Sequence, residues 1–177
     1  MLRELLGDEV EDSGQYIAEV IYGANDGIVT TFAVVSGVAG AALDPGIVLI
    51  LGMANLFADG FSMGMSNFLS RRSELDYAEA SGTEHVEDGK TPGRTALTTF
   101  LAFVVAGWTP LLPYILDTGL LFELSILVTA VAFFVVGASR SLVTNRSWLV
   151  NGSEMLVVGM LAASVAYGVG NLLAGLA

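Results

Sequence analysis

Cysteine is absent from the 177 residues, so the chain has no disulfide, no thiolate metal site and no marker of a redox compartment. Basic residues are scarce too. Seven Lys and Arg against eighteen Asp and Glu leave a formal net charge of −11, which excludes a nucleic-acid binder, because that role needs a basic face. Charge of either sign makes up only 14% of residues, whereas 54% are hydrophobic and the mean hydropathy is +0.69. That balance is far from a soluble domain's and marks an integral membrane protein. The start, "MLRELLGDEVEDSGQYIAEV", holds six acids and only Arg3. It lacks the basic opening and small-residue cleavage pattern of a signal peptide, so the first apolar run is expected to be retained.

Apolar runs long enough for a hydrocarbon layer of roughly 30 Å, about 20 residues each, fall near 21–43, 46–70, 95–116, 119–139 and 154–177. The expected fold is an all-α membrane protein of five transmembrane helices in one domain, 21–177. It follows an amphipathic cytoplasmic segment, 1–20, in which Asp12 and Gln15 have the spacing of a capping pair. The seven basic residues are Arg3, Arg71, Arg72, Lys90, Arg94, Arg140 and Arg146; the turns "LDPG" and "LDTG" and the C-terminus have none. Short cytoplasmic loops retain Lys and Arg, which gives an N-in, C-out topology. Twelve of the eighteen acids lie in the N-terminal segment, including Glu19, or in the loop 71–94. They read either as a solvated rim or as an antechamber that concentrates cations. The first half of that loop is able to prolong the second span as a helix, which "SGT" and "DGKTPG" then break. No internal repeat is present, so an inverted-repeat transporter is not written within one chain. A bundle this small is expected to assemble.

Two carboxylates fall inside the apolar runs. Residues 28–43 would span only about 24 Å as a helix, so the first span must begin upstream and draw Asp26 below the interface. Gly23, Asp26, Thr30, Ala33, Gly37 and Gly40 then share one arc, a face of small residues of the kind along which membrane helices approach closely. The expectation is a homodimer joined through the small-residue faces of the first two spans. Alternatively, Asn25 and Asp26 interrupt and cap a helix at the headgroup level. Asp59, in "GMANLFADGFSMGMSNFLS", sits near the midplane, where a carboxylate costs at least about 2.5–3.5 kcal/mol and needs a partner or a water-filled path. Asn55, Asp59, Ser62, Met63, Ser66, Asn67 and Ser70 share an arc of about 140°, with Phe57, Phe61 and Phe68 opposite and Met65 off the arc. Carboxylate and amide oxygens beside a thioether suit later, softer divalent ions better than calcium or magnesium. A polar helix face also serves protons, water or ordinary helix packing. Tyr167 and Asn171, one turn apart on the fifth span, read as helix-to-helix hydrogen bonding or as support for a path.

The segments "YGANDGIVTTFAVVSGVAGA", "GMANLFADGFSMGMSNFLSRRSELD" and "NGSEMLVVGMLAASVAYGVGNLL" resemble the vacuolar iron transporter family, which includes manganese exporters, over essentially all five spans. The resemblance implies a five-span homodimer that exports divalent metal from the cytosol in exchange for protons. It also implies that Asp26 and Met63 line an ion path at the subunit interface. The candidate ligands for the transported Fe2+ or Mn2+ are thus Asp26, Asp59, Met63, Asn55 and Asn67, with no cofactor and no catalytic residue. The membrane would be the cell membrane of a prokaryote or a vacuole-type membrane of a eukaryote. Two departures stand out. Family members commonly read "GEY" after the "SM" pair, where this chain has Ser66, Asn67 and Phe68; and they carry a helical metal-binding domain where this chain has the 24-residue stretch 71–94 with one His85 and no Met. A lone loop histidine ordinarily faces solvent. Two other classes compete with the transporter: a non-transporting membrane scaffold or helper subunit, and an intramembrane aspartyl hydrolase in which two Asp share a proton.

Overall fold

A computed structural model describes residues 15–82, 89–142 and 144–175. Most of the expected N-terminal helix, Asp12, and the loop residues Glu84, His85, Glu87 and Asp88 lie outside the described residues. Every regular element among them is helical. In chain order these are α1 (Ile17–Gly40), α2 (Pro45–Ser81), α3 (Pro92–Gly107), a 3-10 turn (Thr109–Leu111), the short α4 (Leu112–Ile115), α5 (Leu121–Ser139), a second 3-10 turn (Arg140–Leu142) and α6 (Trp148–Ala174).

Local chemistry explains the boundaries. The Asp44 carboxylate accepts a hydrogen bond from the Gly46 N–H at 2.7 Å, with Pro45 in the first turn of α2; Thr91 and Pro92 open α3 in the same way. Proline fits there because its missing N–H would be unpaired anyway. α2 ends where Gly82 takes φ +64°, a left-handed cap that favours glycine. Pro110 and Pro113 break the helix after Gly107. The buried Ser125 hydroxyl of α5 donates to the Pro110 carbonyl at 2.7 Å and holds that break against the bundle. α1 begins at Ile17 behind Tyr16 with no side-chain cap.

Four segments are long and apolar enough to cross a membrane: Pro45–Ser81, Pro92–Ile115, Leu121–Leu142 and Trp148–Ala174. α1, with 24 residues, extends about 36 Å. It is long enough to cross but less uniformly apolar, because Glu19, Asn25 and Asp26 interrupt its first half. α2 is 37 residues, about 55 Å, so it outreaches the hydrocarbon layer. Its last turns, from Arg72 onward, are mostly exposed.

α1 is the centre of the bundle and packs against α2, α3, α5 and α6. Gly27 lies directly on the Phe103 backbone of α3, where a Cβ would collide with the carbonyl, and Gly40 lies in the same way on Tyr167 of α6. This corrects one expectation. Gly23 and Gly40, assigned to a dimer face, are buried inside the chain, and the Gly37 carbonyl sits under Gly170 of α6. The small residues of α1 serve the close approach of its own neighbours.

Candidate functional site

Two seams of the bundle are polar. The first lies between α1 and α2, where Asp26 and Asp59 are each half-buried and near enough for their charges to interact. The Thr30 hydroxyl donates to the Asp26 backbone carbonyl at 2.8 Å, which leaves the carboxylate uninvolved. Among the described residues no hydrogen bond or ion pair reaches either carboxylate. Two like charges near one another repel, and a carboxylate inside an apolar span is costly. A proton or a cation relieves both costs at once.

The other candidates divide. Asn55, one turn from Asp59, is half-buried on the same flank. Met63 is partly buried and packs against the hydrophobic core, while Met65 is 39% exposed. Asn67 turns toward α3: its amide nitrogen donates to Thr99 Oγ1 at 2.7 Å, and Thr99 in turn donates to the Thr95 carbonyl at 3.0 Å. Its nitrogen thus ties two helices together. Among the described residues no three His, Cys, Asp or Glu come close enough to hold one ion. Tyr167 stacks on Phe122 with centroids 5.8 Å apart, so its ring packs against α5.

The second polar seam was missed in the sequence. Glu19, grouped there with the solvated acids, has a side chain only 13% exposed and pairs with Lys90 at 2.8 Å. The Lys90 ammonium also lies 5.9 Å from the centroid of the Tyr16 ring, and the Thr91 N–H donates to the Tyr16 hydroxyl at 3.2 Å. These contacts pin the entry to α3 onto the start of α1. They border a polar cleft of about 270 Å3 that Asn67, Ser70, Arg71 and Glu74 also line. The signal was available: Glu19 precedes Asp26 by two helical turns and shares its face.

A model of the VIT family matches residues 17–87 and 81–171. The chain belongs to the VIT family. The vacuolar iron transporter of Toxoplasma gondii is 27% identical to it over 243 residues, covering 98% of this chain and 80% of that protein. Vacuolar iron transporter 1 of Oryza sativa subsp. japonica is 24% identical, with 88% of this chain and 84% of that protein aligned. Over a shorter stretch of 58 residues, a third of this chain, the vacuolar iron transporter of Plasmodium falciparum is 47% identical. This VIT-family member is an integral membrane protein, and membership in a family of transporters sets aside the intramembrane hydrolase.

Proposed function

We propose that this VIT-family protein exports divalent transition metal, iron or manganese, from the cytosol in exchange for protons, working as an N-in, C-out homodimer. The observation that carries the reading is the pair of half-buried carboxylates, Asp26 on α1 and Asp59 on α2, close enough for their charges to interact and reached by no hydrogen bond or ion pair among the described residues. Each oxygen set binds either a proton or a metal ion, which is the chemistry an exchanger requires. Met63 supplies a thioether on the same helix as Asp59 and favours softer ions. Asn55 adds an amide oxygen one turn away, and Asn67, whose amide nitrogen is engaged with Thr99, contributes through its carbonyl oxygen.

The dimer is supported by α2. Ala54, Ala58, Ser62 and Ser66 form an exposed stripe of small residues beside Asp59, a surface that suits close helix approach better than lipid. A second copy there would hide the half-buried carboxylates and bring two sets of ligands together. The two matched pieces of the family model meet inside the loop, and the alignment to the Toxoplasma relative is longer than this chain. Both support a connection shortened where resembling proteins carry a metal-binding domain.

Purified protein in sealed vesicles tests the function: Fe2+ or Mn2+ should accumulate on one side while an entrapped pH dye reports counter-movement of protons. A parent that inserts and dimerises but moves no metal would be a scaffold or helper subunit. For the interface, Ala58→Leu should lower the crosslinked dimer fraction in bilayers, and an unchanged fraction would remove α2 from it.

A further inference from the structure

We propose that the crevice between the N-terminal halves of α1 and α6 is a binding site for an anionic phospholipid. The crevice is about 410 Å3 and lies at the basic end of the bundle, where the loop between α5 and α6 meets the start of α1. Ala18, Ile21, Tyr22, Met155 and Val158 give it an apolar floor, and Arg140, Thr144 and Glu154 line its polar rim. Arg146 joins the rim through Glu154.

The rim places two basic side chains against a single acid. Both guanidinium groups reach for one oxygen of one carboxylate: Arg140 Nη1 lies 3.7 Å, and Arg146 Nη1 3.4 Å, from Glu154 Oε2. Among the described residues neither has another side-chain partner. Each guanidinium carries five N–H donors, so most are left for an external acceptor. Two positive charges against one negative leave a local excess of positive charge in a protein whose net charge is −11. An anion repelled from the other surfaces is received here. The apolar floor selects an anion with a chain attached, and Trp148, 54% exposed beside this rim, is a side chain suited to the headgroup level. Basic pockets between membrane helices take lipid phosphates by this combination of charge and groove.

The test is native mass spectrometry of the full chain in detergent, titrated with phosphatidylglycerol, with phosphatidylcholine of identical acyl chains, and with inorganic phosphate. The parent should retain phosphatidylglycerol about tenfold better than phosphatidylcholine, a preference set by roughly one favourable interaction per guanidinium. The Arg140→Gln/Arg146→Gln pair should abolish the preference. Glu154→Gln should move it the other way, raising retention severalfold by releasing both guanidinium groups, an outcome that loss of fold does not imitate. Val158→Trp, which fills the floor, should weaken retention of both lipids. Equal retention of the two lipids by the parent overturns the proposal. So does a preference that Glu154→Gln leaves unchanged, or competition by inorganic phosphate as effective as that of the lipid, which would make the rim a soluble-anion site. Should the double variant fail to insert, Glu154→Gln decides alone.

Discussion

α1 meets α3 and α2 on two flanks built in opposite ways. Toward α3 it offers Gly23 and Gly27, and the helix opposite answers with Gly107, whose own missing Cβ would lie 2.8 Å from the Gly27 carbonyl. Backbone rests on backbone, and beyond the polar pin of Glu19 and Lys90 at its entry this seam is closed. On the flank toward α2 it carries Asp26, near Asp59, both half-buried and reached by no hydrogen bond or ion pair among the described residues. The difference teaches that one helix supplies both the rigidity and the reactive surface of this fold. The dry seam fixes where α1 stands, and thereby fixes the separation of the carboxylates on the wet one.

The largest effect should come from spoiling the dry seam. Gly27→Ala introduces a Cβ where the Phe103 carbonyl already lies, and overpacking of this kind costs about 1–3 kcal/mol or more. The expected result is a marked loss of Tm in detergent, together with loss of metal transport. Gly168→Ala is the control, since nothing lies within 4 Å of a Cβ there; it should be neutral or slightly stabilising. Equal effects would mean that the α1–α3 contact does not hold the bundle.

Next in size is the wet seam, where Asp26→Asn and Asp59→Asn should each abolish transport in vesicles while Tm stays unchanged or rises, because a like-charge contact has been removed. Loss of stability with transport retained would reverse the proposed division between the seams and give Asp26 a packing role, since it lies inside the unbroken α1 and not at a helix end. Met63→Leu should have a smaller effect, lowering iron transport more than transport of an ion that prefers oxygen ligands. Met65→Leu should be nearly silent in the same flux assay. Equal losses at the two positions would remove the thioether from the path.

The smallest expected effect lies at the pin between α1 and α3. Glu19→Gln leaves Lys90 without its mostly buried partner and should lower Tm modestly, whereas Arg72→Gln, which loses only an exposed pair at 3.9 Å, should shift Tm within error. If both variants are silent, the entry to α3 is held by Tyr16 and the backbone instead.

Much of the fold was legible residue by residue. The "LDPG" turn falls where α2 begins and "SGT" where it ends at Gly82, whereas the break that Pro110 and Pro113 put into the third span was not foreseen. The site was legible in part. Asp59 stands out because a charge in an apolar run has few innocent explanations. An angular count places Asn67 on an arc with Met63 but does not reveal that its amide nitrogen meets the hydroxyl of Thr99. Glu19 was hidden by its company, since five other acids around it in sequence suggested a solvated segment.

The sequence by itself determined that the chain is helical and membrane-embedded, that its basic residues fall in three of the connecting or terminal segments, and that each of the first two apolar runs carries a carboxylate. Hydropathy, helical period and capping are properties of neighbouring residues, so they are written along the chain. Only the tertiary structure decided which neighbour each face meets: that the glycines of α1 receive α3 and α6 of the same chain, that Glu19 is paired with Lys90, and that Asp26 comes near enough to Asp59 for their charges to interact. Those assignments depend on how four helices fill space around α1, and the Cβ atoms missing from Gly27 and Gly40 set the approach that brings the remaining faces together.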